Sequence, residues 1–417
     1  MDSVRNSVDG LIEHRHAALW IIVVAMAIRI AWVLVFPVEP VSDSGAYQIL
    51  ARNIVDYGNY GFTPHDPSAY WAVGTSAIVA VTYLIFGESD LGVVLSNLLA
   101  SLIALVLIYQ LGLRYFGRTA ALFALGLTAF WPNLILFNSI LSSELYFIAL
   151  CAAGLLFWER RKEGWLNLLA CGLIWGAACY VRPVIILLPF ALVLSAWGSW
   201  RELIRAAGSA VIVVVLIVLT VSPWTYRNYQ AFGEPVMVST NFGPNFWMGN
   251  NPETTGRYQK LPTWTHGMGE IERSDRLEEV AVSYIKDEPI QFVVRTLYKV
   301  GLLHAYETIG VAWNENAIGQ MLGETGKMGV KLLSTGYWYG LLVLSFIAIG
   351  ALILSRRLSG LFHPCVLGWG YFTAVHAVIV VEDRYHMSAV PFIALLAGHA
   401  SSLLVGQVMA TRSKVKV

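Results

Sequence analysis

The stretch 70-YWAVGTSAIVAVTYLIFG-87 decides the fold. It is apolar over nearly the length of a membrane span, and its status sets the side of everything that follows. Read as a span, it turns Arg114, Arg118 and the cluster Arg160, Arg161, Lys162 outward. Read as a helix lying in the membrane interface, it leaves RYFGR (114–118), ERRKEG (159–164), WRELIR (200–205), SRR (355–357) and the tail TRSKVKV (411–417) on the N-terminal side. Lys and Arg in short loops mark the cytoplasmic side, so the interfacial reading is preferred.

Working outward, apolar runs near span length recur along the whole chain. Of its 417 residues, 57% are hydrophobic and 13% charged, against about 25% charged in a soluble domain. The pattern predicts an all-α polytopic membrane protein and excludes a soluble enzyme. Ten spans are expected: 17–37, 90–113, 119–137, 140–158, 165–181, 183–199, 203–223, 335–355, 360–381 and 387–406. The first lacks a small-residue cleavage site after it and reads as a retained anchor. The expected organisation is a cytoplasmic N-terminus (1–16), a transmembrane bundle (17–223) with an outer loop (38–89) carrying two juxtamembrane helices, an outer-face region (224–334), C-terminal transmembrane helices (335–406) and a cytoplasmic tail (407–417). The net charge of +1 says little about partners, because in such proteins its distribution matters more than its sum; no nucleic-acid partner is expected. Cys151, Cys171, Cys179 and Cys365 lie inside apolar runs with no CxxC pair, so they read as buried hydrophobes.

The charge asymmetry puts the loop 38–89, the turns at 138–144, 182–183 and 382–386, and the loop 224–334 on one outer face. Most of the unusual polar residues sit there. In 43-DSGAYQILARNIVDYG-58, Tyr47, Leu50, Ile54 and Tyr57 recur at helical spacing and Gly58 reads as a stop. Asp43 or Ser42 caps this helix, or Asp43 belongs to an assembled outer-face site. Glu144, at the outer mouth of a span, must be paired, solvated or functional; Arg182 and Arg384 sit at other outer mouths and are its candidate partners. Pro223 is expected to end its span, placing Arg227 at the surface as a phosphate ligand or as an interface anchor beside Trp224 and Tyr226. Asn250 and Asn251 suit sugar hydroxyls, or simply form a turn. The segment 288–312 carries Arg295, Lys299, His304 and Glu307, too many charges for a bilayer centre. It reads as a surface helix, with Lys299 near headgroup phosphates or snorkelling. Arg29, inside the first span, faces the bundle interior or snorkels.

Several motifs, in order, carry a family resemblance: SDSGAYQILARNI (42–54), PSAYWAVGTSAIVAVTYLIFGES (67–89), RYFGRTAALFALGLTAFWP (114–132), LSSELYF (141–147), RPVIILLP (182–189), SPWTYRNYQAFGEPVMVSTNFGPNFWMGNN (222–251) and EDRYHMSAVPFIALLAG (382–398). The chain resembles the GT-C membrane glycosyltransferases, the group of protein O-mannosyltransferases and the lipid A aminoarabinose transferase. The resemblance implies a GT-C-like bundle with two juxtamembrane helices in the first outer loop, Asp43 as an active-site carboxylate and Glu144 as a second acid. It implies a polyprenyl-phosphate sugar donor, undecaprenyl phosphate in bacteria, whose phosphate is held by Arg227 and Lys299, with Arg182 and Arg384 as further cations. Tyr47, Asn250 and Asn251 are the expected sugar or acceptor contacts. Protein mannosyltransferases have an Asp-Glu pair where this chain has Asp43-Ser44, so the acceptor stays open among glycan, lipid and protein. The oligosaccharyltransferase Asp-x-Asp is absent, so no divalent metal or other cofactor is expected to be required.

The function expected is an integral-membrane inverting glycosyltransferase of the plasma (inner) membrane, with both termini cytoplasmic and membrane lipids around it. A polymerase or ligase using a lipid-linked oligosaccharide is the nearest rival. A flippase or transporter needs charges along a central path and repeated broken helices, whereas the polar residues here gather at one face. A non-catalytic scaffold is the remaining alternative.

Overall fold

The computed structural model describes residues 16–415; the expected cytoplasmic segment 1–15 and the last two tail residues lie outside the described residues. The described chain is built of helices. Five are long and apolar enough to cross a membrane: α1 (Ala17–Val35), α4 (Asp90–Phe116), α10 (Trp200–Phe232), α15 (Glu315–Arg356) and α17 (Val390–Val415). The pair α5 (Arg118–Ala129) and α6 (Pro132–Leu136) reaches that length and apolarity only when taken together, across a bend of 57°. Shorter helices α7 (Glu144–Glu159), α8 (Trp165–Val181), α9 (Leu188–Val193) and α16 (Pro364–Val378) complete the bundle. Each of the ten expected spans overlaps one of these helices or pairs: the one at 165–181 matches α8 end to end, that at 183–199 overlaps only the six-residue α9, and the others differ at their ends.

The breaks have chemical causes. Pro132 starts α6 as its first residue, and the carbonyls at the end of α5 lose their helical partners. Arg29, only 1% exposed, supplies them: Nη1 donates to Ala129 O at 2.8 Å and Nη2 to Thr128 O at 3.2 Å. Arg29 therefore faces the bundle interior. Pro223 does not end its span. α10 runs through it to Phe232 and stops at Gly233, whose φ of 77° is left-handed. The Leu219 carbonyl, which Pro223 cannot meet, accepts instead from Ser222 Oγ at 2.8 Å.

The core sits where α7, α8, α10 and α17 pack. Trp158, Trp175, Phe147 and Phe392 there are fully buried, and the four cysteines are buried and free. The first outer loop carries α2 (Asp43–Tyr57) and α3 (Gly74–Phe86). Tyr47 and Leu50 bury the inner face of α2, while Tyr57 is more than half exposed. Gly58 ends the helix at φ 64°, its N–H on Ile54 O. α3 starts at the outer end of α8: a Cβ on Gly74 would come within 2.6 Å of the Tyr180 carbonyl. That close approach sets residues 70–72 beside Arg182.

The region between α10 and α15 adds α11 (Phe242–Gly249), α12 (Glu270–Asp287), α13 (Pro289–Leu303) and α14 (Ile309–Trp313). α11 lies flush on residues 379–380, with no room for a Cβ at Gly249. α13 is amphipathic and exposes Ile290, Val294 and Leu297, as a helix lying at a membrane surface does.

A candidate active site at one end of the helices

Four charged side chains from four parts of the chain meet at one place. Asp43 opens α2. Ser42 precedes it with a positive φ of 52° and makes no capping bond; the Asp43 Oδ2 atom instead accepts from Arg384 Nη2 at 2.5 Å. Arg384 Nη1 also reaches Glu144 Oε1 at 3.4 Å. Glu144 opens α7, is fully buried, and pairs closely with Arg182. Arg182 further donates from Nε to Ser143 Oγ at 2.9 Å and from Nη1 to Ser388 Oγ at 3.3 Å. Two acids thus alternate with two cations in a linear, charge-balanced chain, Asp43–Arg384–Glu144–Arg182. Burial alone would lower the Arg384 pKa, but the facing carboxylates of Asp43 and Glu144 outweigh it and hold the guanidinium charged.

Arg384 is held from behind. Its guanidinium rests over the Trp313 ring at 4.5 Å, a cation–π contact. Its neighbour Asp383 caps α14, with Oδ2 accepting from Thr308 N, Thr308 Oγ1 and Ile309 N at 2.9–3.1 Å. Two residues on, His386 bridges Leu303 O and the buried Glu307 carboxylate, each at 3.1 Å. Glu307 also takes Trp131 Nε1 at 2.8 Å. Burial pushes the Glu307 carboxyl up, against the opposing pull of His386 and Trp131. The loop between α13 and α14 therefore clamps the turn 382–386 on both sides of Arg384.

A cavity of about 620 Å³ opens over this cluster, within the range of small-molecule sites. Asp43, Arg182 and Arg384 line it together with aromatic rings, among them Tyr47, Tyr70 and Trp71. Burial, then the nearby Asp43 and Glu144, push the Tyr47 hydroxyl pKa up, so it stays a neutral hydrogen-bond donor. Glu144 does not line the cavity; it stands behind the two arginines.

The other expected ligands lie elsewhere. Arg227 donates to Ser68 O and Tyr60 O at 2.9 Å and stacks on Trp224 at 4.7 Å. It ties the first outer loop to the end of α10 and does not line the cavity. Lys299 neither snorkels nor faces headgroups. It is fully buried, and its ammonium donates to Gly249 O at 2.9 Å and to Asn250 Oδ1 and Val378 O at 3.3 Å. Asn250 in turn donates to Phe246 O and Val378 O, and Asn251 to Trp247 O. These three residues knit α11 to α13 and the end of α16. The amides on the cavity wall are Asn241 and Asn245, at the start of the same NFGPN segment. Sequence reading passed over both, and over Tyr70, Trp71 and Trp313. Asn245 and Trp313 sit in helices of eight and five residues, too short for periodicity to mark, and Tyr70, Trp71 and Asn241 lie outside helices; the aromatic and amide density of 241–247 was the available hint.

Lys299 yields a pH prediction. Burial, then Arg295, lower its pKa from 10.5 to about 8. The charged form is disfavoured in the fold, so the unfolded chain binds more protons between pH 8 and 10.5, and stability rises with pH across that window. The penalty, present in full below pH 8, is roughly 3 kcal/mol. Thermal unfolding of wild type and Lys299→Met should show wild type gaining on the variant from pH 8 to 10. A constant difference would place the Lys299 pKa near its ordinary value.

This fold is that of the GT-C membrane glycosyltransferases. Residues 72–226, less than half of the chain, match the family profile described as dolichyl-phosphate-mannose-protein mannosyltransferase. That segment holds Glu144 and Arg182 but neither Asp43 nor Arg384. The archaeal oligosaccharyltransferase AglB from Archaeoglobus fulgidus, in complex with an inhibitory peptide and a dolichol-phosphate, superposes with a TM-score of 0.56 at 13% identity, over 95% of this chain and 51% of that one. The same enzyme tethered to an acceptor peptide containing the NVT sequon gives 0.56 at 14% identity, over 96% and 51%. The chain spans about half the length of that enzyme. ArnT from Cupriavidus metallidurans bound to undecaprenyl phosphate gives 0.43 at 15% identity, over 92% and 77%. No curated protein matches the sequence.

Proposed function

We propose that the protein is an inverting glycosyltransferase that moves a sugar from a polyprenyl-phosphate carrier to an acceptor hydroxyl at the outer membrane face. One observation carries this reading. A carboxylate, Asp43, stands on a monosaccharide-scale cavity directly against the Arg384 guanidinium, with Arg182 on the same wall, at one end of the helices. A lipid carrier delivers its headgroup at that depth.

The chemistry follows from the parts. Arg384 holds Asp43 Oδ2, and Oδ1 makes no hydrogen bond among the described residues. That oxygen takes the proton of the acceptor hydroxyl as general base. The acceptor oxygen bonds to the anomeric carbon from the face opposite the phosphate. The carbon–oxygen bond to the phosphate breaks, its electron pair leaves with the lipid phosphate, and the anomeric configuration inverts. Arg384 and Arg182 stabilise the charge that grows on the departing oxygen. Glu144 orients both, and Asn241, Asn245 and Tyr47 offer hydrogen bonds to sugar hydroxyls. In a bacterial envelope the carrier is undecaprenyl phosphate, the face periplasmic, the membrane the inner one, and both termini cytoplasmic.

The test is transfer in proteoliposomes from a radiolabelled polyprenyl-monophosphate sugar. Labelled product of inverted anomeric configuration is expected. Movement of the intact donor across the bilayer without transfer, or transfer only from diphosphate-linked oligosaccharide, would replace this reading with a flippase or a polymerase.

A further inference from the structure

The charges of Asp43, Arg384, Glu144 and Arg182 balance one another, which constrains how the donor is held. Arg182 and Arg384 are each committed to a carboxylate, two cations against two acids. A phosphate arriving there brings further negative charge and finds no unbalanced cation. Its initial hold must come from guanidiniums that are near the cavity and unpaired.

Two arginines meet that description, each standing beside a lining residue and not on the cavity wall itself. Arg273, on α12, stacks over the ring of Tyr70 at 5.4 Å, and Tyr70 lines the cavity. Arg257 precedes Tyr258, another lining residue, whose N–H donates to Glu382 Oε1 at 3.2 Å on the same wall. The Arg257 guanidinium lies over Tyr306 at 5.2 Å and close enough to Glu382 to act on its charge. Neither arginine has a carboxylate within 4.0 Å among the described residues, and neither side chain makes a hydrogen bond. Arg273 Nε and Arg257 Nη2 are buried without a partner, while both residues as wholes are part-exposed. Buried polar nitrogens normally find an acceptor. The contrast on α12 is direct: exposed Arg276 is paired with Glu279 at 2.6 Å, whereas Arg273, stacked on the cavity residue Tyr70, is not. Ring stacking fixes each guanidinium plane and leaves its fork for bidentate binding to a phosphate.

We infer that Arg273 and Arg257 form the anchoring site for the donor's lipid phosphate, holding its non-bridging oxygens while Arg384 and Arg182 serve the bond that breaks. This rests on the proposed function and names which cations hold the headgroup, in place of Arg227 and Lys299.

The experiment measures binding of undecaprenyl phosphate to the full chain in nanodiscs, with undecaprenol and inorganic phosphate as parallel probes. Arg273→Gln and Arg257→Gln should each weaken undecaprenyl phosphate binding about tenfold or more, the loss typical of one charge-assisted contact, and leave undecaprenol unchanged. Arg273→Lys should retain part of the affinity and Arg276→Gln all of it. Inorganic phosphate competing as well as the lipid would identify a free-anion site and overturn the lipid assignment. Wild-type affinity in both Gln variants, with binding lost in Arg384→Gln, would overturn the anchor yet keep the donor class. Absence of binding by wild type would overturn the functional reading itself. Variants that do not elute as folded protein are replaced by Arg273→Lys and Arg257→Lys.

Discussion

Turnover of an Asp43→Asn variant is expected to fall by about a hundred- to ten-thousand-fold, the range ascribed to a positioned general base. Asparagine keeps the shape of the side chain and an oxygen for Arg384 but cannot accept the hydroxyl proton. Donor binding should survive, because the substitution removes a negative charge beside the site and leaves both arginines in place. The loss therefore falls on turnover and not on donor affinity, the pattern of an interaction made in the transition state. Asp43→Glu keeps the carboxylate but shifts it by one methylene against Arg384, and should lose less than Asn if proton transfer is its role. Assayed with a polyprenyl-monophosphate sugar, a variant with near wild-type turnover would remove Asp43 from the mechanism. A variant that lost donor binding and turnover together would recast it as a positioning residue for Arg384.

Why Asp43, Glu144, Arg182 and Arg384 were legible in the sequence while the rest of the site was not is a matter of cost. A charge at the mouth of an apolar helix is expensive unless paired or used, so each of the four stood out against its surroundings, and charge sidedness put them on one face. Partners were harder. In the sequence Arg227 and Lys299 read as cations at the same face, and only the fold shows that they are turned to backbone carbonyls, Lys299 in full burial. Asn250 and Asn251 were read from their turn chemistry, whereas the amides on the cavity wall begin nine residues earlier at Asn241, just before a helix too short for periodicity to mark. The helices were legible because hydropathy needs no tertiary information. Their ends were not: Pro223 sits inside α10 because Ser222 takes the abandoned carbonyl, and α15 begins at Glu315 and bends at Gly323 with φ 65°, well before its apolar part.

Removing Glu144 should cost stability more than any other single change at the site. Its carboxylate is fully buried and faces two guanidiniums, Arg182 and Arg384, whose side chains are 13% and 11% exposed. Together they desolvate one acid and two cations. A buried ion pair is weak evidence of net stabilisation, but breaking one leaves an uncompensated charge, at about 3–5 kcal/mol. Glu144→Leu leaves Arg182 without a carboxylate and Arg384 with only Asp43. Thermal unfolding in detergent should place the loss in that range. Glu144→Gln should lose less, since an amide oxygen still accepts from Arg182, though it cannot neutralise it. The decisive comparison is the double variant Glu144→Leu/Arg182→Leu. If the penalty is the stranded guanidinium, removing it restores part of the stability lost in Glu144→Leu, and the two substitutions couple strongly. If Glu144 acted only by filling space, the double variant would be the less stable of the two. The same pair separates structure from catalysis: a stabilised double variant that still binds undecaprenyl phosphate but turns over poorly would show that Arg182, held in place by Glu144, serves the departing oxygen and not the resting fold.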